Sequence, residues 1–445
     1  MTRADDPMTA DSERALDEVV GLCRDMIRFD TSNHFDGSGP GERPAAEYVA
    51  RRLDEVGIAS TVLEAAPGRT SVVARIRGRD RSRPALLLHG HLDVVPADRH
   101  AWSVDPFAGE IRDDCLWGRG AVDMKNMNAM ILAAVRRLAR NGALPARDIV
   151  LAFLADEESG GALGSRWLVE HHRDLLEDCD QAVSEIGGFS VSVPGSPTGQ
   201  RVYLVETARK GVAWLRLRAR GTRGHGSMVT AENATVRLAA AVTRLGGHCW
   251  PLELTRTTTR MATELKGLTG IDIREDDLDA TALAPVAGLI GSSLRHVANP
   301  TVLRAGDTVN VIPAHAEALV DGRFVPGRDE DFLRTVGSLV GPGIEMEVID
   351  HTASAESDPD SSLIAAMHRA LLAEDPAAAV VPYCSSASTD NASFAALGIE
   401  GFGFVPLRLP AGFDFARMFH GVDERIPLSS LRFGASALHR FLTDH

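Results

Sequence analysis

The chain has 445 residues, which exceeds one ordinary hydrophobic core and predicts two domains, either of which can interrupt the other. Its formal net charge of -14 argues against nucleic-acid binding, which normally needs a clustered basic surface. The five cysteines are scattered and odd in number, which argues against a disulfide framework and against a cysteine zinc site.

The N-terminal segment carries acids where a secretory signal peptide has basic residues. No window of the sequence is apolar over the length needed to span a membrane. With the scattered cysteines, these features predict a cytoplasmic protein that acts on small molecules, without a nucleic-acid or membrane partner.

The first part of the chain shows helical patterns and then strands that alternate with helices. Apolar residues recur at helical spacing from Ser12 to Phe29 and from Arg43 to Val56. A strand is predicted in ALLLHGHLDVVP, a helix from Asn126 to Arg140, and a buried strand in DIVLAFLADEE. This alternation predicts α/β layers around a largely parallel sheet.

The pattern changes after Glu206. The segment KGVAWLRLRARGTRGHGS alternates like a half-exposed strand, a helix is predicted from Asn233 to Leu245, and TVNVIPAHAEALVDGRF alternates again. A second, open-faced α+β domain is therefore expected. Helix and strand patterns resume from about Ser357, so the closing segment is predicted to rejoin the first sheet.

His91 and Asp93 stand where the first predicted apolar strand ends. Catalytic groups of open α/β sheets gather beyond the carboxyl ends of strands. A neutral imidazole binds zinc through one nitrogen while a carboxylate accepts the proton of the other, so Asp93 is a candidate to orient His91. Alone, such a pair is more often structural, and His89 competes for the same role.

Carboxylates follow at three further points. Asp123 lies between a glycine-rich bend and a helix pattern, and Glu185 follows a short apolar stretch and precedes glycines. Glu157 and Glu158 end the strand LAFLADEE. Each alone is typical of a helix cap, a turn or a solvated surface. Adjacent carboxylates repel unless a cation or proton lies between them, so one of this pair is a candidate metal ligand and the other a candidate activator of water.

His420, in FHGVDERIP near the C-terminus, completes a set of metal donors. One histidine and one carboxylate for each metal, with one shared carboxylate, is the minimum for two neighbouring zinc ions. Such a site activates a bridging water, polarises the scissile carbonyl and leaves a glutamate free to carry the proton. The glycine-rich bends leave a nucleotide-dependent transferase as a rival, although neither nucleotide motif has its full spacing.

Seven segments in order carry a family resemblance, namely LLLHGHLDVVP, GRGAVDMKN, LADEESGG, SEIGG, TRGHGS, NVIPAHAEALVDGR and FHGVDERIP. Together they resemble the metallopeptidase family of acetylornithine deacetylase, succinyl-diaminopimelate desuccinylase, carboxypeptidase G and aminoacylase. The resemblance covers nearly the whole chain. No single segment separates the members of the family.

The resemblance implies two Zn²⁺ per chain, with Co²⁺ as a substitute. It places His91 and Glu185 on one zinc ion. It places Glu158 and His420 on the other zinc ion. Asp123 would bridge the two ions and would be followed by a cis peptide bond.

The resemblance also implies roles outside the ligand set. Asp93 would orient His91, and Glu157 would act as the general base and acid. His225 would reach the active site of a neighbouring subunit and stabilise the oxyanion. Asn310 and Arg323 would bind the substrate carboxylate, a task that suits a guanidinium group.

The fold implied by the resemblance is an α/β zinc-peptidase catalytic domain, in which helices flank a mostly parallel central sheet. A smaller α+β lid interrupts this domain and forms a homodimer. The expected boundaries are 1–207 and 356–445 for the catalytic domain and 208–355 for the lid.

The leading functional hypothesis is hydrolysis of the amide bond in a small N-acyl amino acid or dipeptide that bears a carboxylate. Aminoacylase, deacetylase, dipeptidase and desuccinylase activities all remain open. Carboxypeptidase-like relatives carry a further arginine where this chain reads HTASAESD, which argues against strict action on acidic residues. A catalytically silent metal-binding or interaction protein on the same fold is the alternative, and the presence of Glu157 argues against it.

Overall fold

The structure is a computed structural model that describes residues 10–34, 36–192, 200–277, 281, 283 and 287–445. In this described part the helices are α1 (Ala10–Ile27), α2 (Arg43–Asp54), α3 (Lys125–Arg140), α4 (Ser165–His171), α5 (Ala234–Gly246), α6 (Arg256–Thr269), α7 (Ala287–Ser293), α8 (Asp329–Val340), α9 (Ser362–Glu374), α10 (Asn391–Ala395) and α11 (Leu428–Asp444).

The strands of the described part are β1 (Ser60–Ala66), β2 (Arg69–Ile76), β3 (Ala85–His91), β4 (Glu110–Arg112), β5 (Cys115–Trp117), β6 (Ile149–Leu154), β7 (Cys179–Ser184), β8 (Gly187–Ser192), β9 (Arg201–Arg209), β10 (Gly211–Arg220), β11 (Gly224–His225), β12 (Val297–Ala305), β13 (Val311–Ile312), β14 (His315–Phe324), β15 (Ile344–Thr352), β16 (Ala355–Glu356), β17 (Ala378–Ser385), β18 (Glu400–Gly403) and β19 (Arg425–Pro427).

The chain divides into two compact units. The first unit contains residues 1–206, 357–381 and 389–445. The second unit contains residues 207–356 together with the short segment 382–388.

The first unit is built on a large mixed sheet with the strand order β1-β2-β6-β3-β7-β18-β9. Its centre is parallel, because β3 pairs in parallel with β6 and β7, and β18 pairs in parallel with β7. The outer pairs β1–β2, β2–β6 and β8–β9 are antiparallel. The expected parallel core is present, and antiparallel strands extend it on both sides.

Helices cover both faces of this sheet. On one face, Leu87 of β3 and Val150 of β6 pack with Leu168 of α4 and Phe394 of α10. Successive strand residues point to opposite faces, and on the other side β3 contacts α3, which also packs against α1 and α11. Burial on both faces explains why β3 and β6 are apolar over almost their whole length. The predicted α/β class is confirmed.

The second unit contains an antiparallel sheet with the order β12-β14-β10-β15. Leu215 and Leu217 of β10 are buried against Leu238 of α5 and Phe332 of α8. The alternate residues of β10 lie on the opposite, more exposed face, where arginines pair with glutamates, as in the 3.0 Å contact from Arg218 to Glu347. This one-sided burial produces the alternation seen in the sequence.

Element boundaries differ from the predicted ones by a few residues. The first predicted helix, Ser12 to Phe29, is observed as α1 (Ala10–Ile27), and the second, Arg43 to Val56, ends earlier, at Asp54. Every described helix is too short or too polar to cross a lipid bilayer.

Candidate metal centre

Three neighbouring parallel strands deliver acidic and imidazole side chains to one edge of the sheet. His91 is the last residue of β3, which lies between β6 and β7. Glu157 and Glu158 form a 3₁₀ turn shortly after β6, and Glu185 directly follows β7. Because parallel strands end at the same edge, these side chains converge although the sequence separates them widely.

Asp123 enters the same site from the bend that precedes α3. Gly120 of this bend has φ +88°, and a Cβ atom there would lie 2.8 Å from the side chain of Lys125. Glycine therefore lets the bend pack closely against the start of the helix. The peptide bond from Asp123 to Met124 is cis, as the family resemblance implies.

Asp123 lies between two imidazoles. One carboxylate oxygen of Asp123 is 3.1 Å from Nε2 of His91, and the other is 3.2 Å from Nε2 of His420. Each imidazole has a second acid at similar range: Glu185 is 3.4 Å from His91, and Glu158 is 3.2 Å from His420. The structure thus brings the five predicted ligands together, with one carboxylate shared.

Glu157 lies beside this set. Ligand atoms of His91, Glu157 and Glu185 lie within 4.8 Å of one another, as do those of His91, Asp123 and Glu158. Four carboxylates therefore lie around two imidazoles, of which His91 is buried and His420 is exposed. Such a donor set fits divalent cations, which neutralise the excess negative charge.

The pKa values reflect this crowding. Burial, opposed by His91, raises the pKa of Glu185 to about 8. Burial and the charge of Glu185 also raise the pKa of Glu157. Hydrogen bonds to Asp123 and Glu158 raise the pKa of His420 to about 10.

Asp93 fixes both His91 and the turn that carries the glutamates. Nδ1 of His91 is 2.9 Å from the main-chain oxygen of Asp93 and 3.5 Å from its carboxylate. The carboxylate of Asp93 accepts the main-chain N–H groups of Glu157 and Glu158, each at 3.1 Å. One buried carboxylate thus positions groups from two strand ends.

Glu424 has a structural role that the sequence did not reveal. Its fully buried carboxylate pairs with Arg119 at 2.8 Å and accepts the N–H groups of Gly120, Val122 and Asp123. It therefore holds the bend that presents Asp123. Its position in FHGVDERIP, four residues after His420, was the only indication available in the sequence.

His89, the competing histidine, lies elsewhere. Its Nε2 is 2.9 Å from Oδ1 of Asn391, and its ring packs edge-on against Phe394. His89 belongs to neither of the two metal-ligand groups found in the described part of the chain.

The three other predicted residues belong to the second unit. His225 is exposed on β11, and its Nδ1 lies 2.8 Å from the hydroxyl of Ser227. The main chain of Asn310 accepts the N–H of Gly226 at 2.7 Å, so the structure brings Asn310 and His225 together. Arg323 on β14 instead pairs with Asp321 at 2.8 Å.

The fold and the site define an α/β protein with clustered candidate donors for metal ions. A sequence model of "Peptidase family M20/M25/M40" matches residues 87–444. Aminoacylase-1 of Sus scrofa is 27% identical over 418 residues, which cover 92% of this chain and 90% of that protein. The N-fatty-acyl-amino acid synthase/hydrolase PM20D1 of Xenopus tropicalis is 26% identical over 433 residues, covering 93% and 83%.

Solved structures show the same fold. The M20 family metallo-carboxypeptidase Sso-CP2 from Sulfolobus solfataricus aligns with a TM-score of 0.73 at 20% identity, over 96% of this chain and 98% of that one. The chain belongs to peptidase family M20/M25/M40. The family resemblance drawn from seven sequence segments is confirmed, and with it the expectation of a metal-dependent amidohydrolase.

Proposed function

We propose that this protein hydrolyses the amide bond of a small N-acyl amino acid or dipeptide at a site that holds two zinc ions. The arrangement of Asp123 carries this proposal, since its two oxygens face different histidines at 3.1 and 3.2 Å. The likeness to aminoacylase-1 and to an N-fatty-acyl-amino acid synthase/hydrolase supports the substrate class.

The proposed ligands divide into two sets that share one residue. His91 and Glu185 would hold one ion, while His420 and Glu158 would hold the other. Asp123 would serve both. Imidazole nitrogens and carboxylate oxygens are usual zinc donors, and Co²⁺ accepts the same donors.

Glu157 is the proposed proton carrier. When bound, the two metal ions would lower the pKa of a water molecule and polarise the scissile carbonyl. Glu157 takes a proton from the attacking water and delivers it to the departing nitrogen as the carbon–nitrogen bond breaks. The products are a carboxylate and a free amine. A ligand atom of Glu157 lies within 4.8 Å of ligand atoms of both His91 and Glu185, which supports this role.

The second unit is proposed to act as a lid that recognises the substrate. Arg323 would bind the substrate carboxylate through its guanidinium group, with Asn310 as a further donor. His225 would donate a hydrogen bond to the oxyanion that forms during attack. The exposed position of His225 supports a role in contacting a further molecule.

We further propose that the second unit forms a homodimer. Met228 is 68% exposed, and Val229 and Val309 are completely exposed beside His225 and Asn310. Exposed apolar side chains that cluster in this way are typical of surfaces that a partner protein covers. A second copy of the chain is the proposed partner.

A substrate panel tests the proposed function. Protein freed of metal by a chelator is incubated with N-acetyl amino acids, N-succinyl diamino acids and dipeptides, with and without added zinc. The expected result is release of free amine from at least one substrate only after zinc is restored. Matched amides that lack the carboxylate should react at least about tenfold more slowly if a guanidinium group binds that carboxylate. Absence of cleavage across the panel by zinc-loaded protein would contradict the proposal.

A further inference from the structure

A buried chain of hydrogen bonds leads away from the metal centre. The side-chain NH₂ of Asn33 donates to Asp93 at 2.9 Å and to Asp156 at 3.0 Å. Arg69 donates to the side-chain oxygen of Asn33 at 2.6 Å and to Glu42 at 2.6 Å. All five side chains belong to residues that are at most 5% exposed.

The backbone places Asn33 firmly. Its main-chain N–H donates to the carbonyl of Val94 at 2.9 Å, and the N–H of Val94 donates to the carbonyl of Thr31 at 3.2 Å. The hydroxyl of Thr31 donates to the carbonyl of Leu92 at 2.7 Å. These hydrogen bonds hold residues 31–33 against residues 92–94, which directly follow His91.

The hydrogen-bond partners of Asn33 permit only one orientation of its side-chain amide. Its two N–H groups meet two carboxylates, and its oxygen meets the guanidinium group of Arg69. A flipped amide would direct its oxygen at Asp93 and Asp156 and its NH₂ group at Arg69, which is unfavourable at every contact. Glu42 in turn balances the charge of Arg69.

The two acids that Asn33 joins hold opposite ends of the glutamate turn. Asp93 accepts the N–H groups of Glu157 and Glu158. Asp156 directly precedes the turn, and its main-chain and side-chain oxygens accept the N–H groups of Gly161 and Leu163. A shift of either acid would therefore move the turn.

We propose that Asn33, held by Arg69 and Glu42, is a positioning residue of the metal centre. By joining Asp93 to Asp156, it fixes the turn that carries Glu157 and the orientation of His91. Asn33, Glu42 and Arg69 all precede residue 87, where the match to the family model begins. The inference rests on the proposed function, because it assigns these residues to that same site.

The test compares Asn33→Ala with a stability control. Hydrogen-bonding partners of metal ligands typically contribute 10- to 100-fold in activity or metal affinity, so kcat of Asn33→Ala is expected to fall at least about tenfold with KM within about twofold. The visible absorption of the Co²⁺-loaded variant should also change, because it reports ligand geometry. Asn33→Asp should lose at least as much, since it places a third carboxylate beside two others.

Asp375→Asn is the matched control, because it disrupts a different network, in which the buried Asp375 accepts hydrogen bonds from Arg201 and Tyr203. At an equal or larger fall in Tm, this control should keep the kcat and Co²⁺ spectrum of the unmodified protein. Arg69→Lys supplies a second variant if Asn33→Ala fails to fold. Lysine keeps the positive charge beside Glu42 but lacks the guanidinium group that donates to both Asn33 and Glu42. Arg69→Lys should therefore change the Co²⁺ spectrum in the same direction as Asn33→Ala.

The outcomes separate the two claims. Unchanged kcat and spectrum in Asn33→Ala and Arg69→Lys would overturn the positioning role. A loss of activity that only follows the fraction of folded protein, with an unchanged spectrum, would overturn it as well. If the unmodified protein binds Co²⁺ yet cleaves no substrate of the panel, the proposed function fails, while the spectral comparison still tests the role of Asn33.

Discussion

At the scale of single residues, Glu157 differs from its neighbour Glu158 in its partners. Glu158 contacts His420 at 3.2 Å, whereas Glu157 groups with His91 and Glu185, whose ligand atoms lie within 4.8 Å of its own. The first prediction concerns this difference. Replacing Glu157 by Gln should lower kcat by about 100- to 10,000-fold, because the proton carrier is lost. Bound zinc, measured by mass spectrometry of the metal, should stay at the unmodified level.

A matched control is Glu170→Gln, since Glu170 is an exposed acid of α4 in the same unit. Its kcat should be unchanged. Normal turnover by Glu157→Gln would remove the proton-carrier assignment, and loss of zinc from that variant would make Glu157 a ligand instead.

The second prediction concerns Glu424, which accepts main-chain N–H groups of the bend that presents Asp123. Glu424→Gln removes the charge that faces Arg119, and breaking a buried ion pair commonly costs about 3 kcal/mol or more. The free energy of unfolding in urea should fall by about that amount, and zinc affinity should fall with it. Glu400→Gln, at an exposed strand position, should change neither quantity. A stable Glu424→Gln protein with unaltered zinc affinity would contradict the supporting role.

At the scale of elements, Asp375 links the end of α9 to β9. Burial acts to raise the pKa of Asp375, but hydrogen bonds from Arg201 and Tyr203 outweigh it and hold the pKa below its ordinary value. A depressed carboxyl pKa adds stability above the ordinary value of about 3.9, and this contribution disappears as the pH falls through the folded-state pKa.

The third prediction follows from this sign. At pH 7, Asp375→Asn should be less stable than the unmodified protein by about 1 to 3 kcal/mol in denaturant unfolding. The difference should shrink as the pH is lowered below about 4. A difference that stays constant between pH 7 and pH 3 would show that the charge of Asp375 does not contribute.

The buried central strands of the first unit could be predicted from the sequence. Long apolar runs with turns between them identified β3 and β6, because both faces of these strands are buried. The antiparallel direction of the outer strands was not predicted, because the apolar pattern of a strand does not specify the direction of its neighbour.

Within the site, acids that follow buried strands could be predicted as candidates because parallel strands end at one edge. The role of Asn33 could not be predicted from the sequence, because Asn33 lies 60 residues before Asp93 and only the fold brings the two together. The same reason applies to Glu424, which acts on a bend about 300 residues earlier in the chain.

At the scale of the whole molecule, the proposed dimer has a direct consequence. If His225 acts on the active site of a second copy, Glu157→Gln and His225→Ala proteins should each be inactive alone. Mixed dimers would contain one complete site out of two, so random exchange of equal amounts should restore about a quarter of the unmodified activity. Subunit exchange at low protein concentration followed by an activity assay checks this fourth prediction. No recovery despite demonstrated exchange would place His225 on its own subunit's site, and an active His225→Ala protein would place His225 outside catalysis.

The most direct test of the central claim is a zinc titration of metal-free protein, with bound zinc and amide hydrolysis measured in the same samples. The account predicts no hydrolysis without metal and an increase that is complete only when two zinc ions are bound per chain, because Asp123 is shared between two donor sets. Hydrolysis by the metal-free protein, or full activity with only one zinc ion bound per chain, would contradict it.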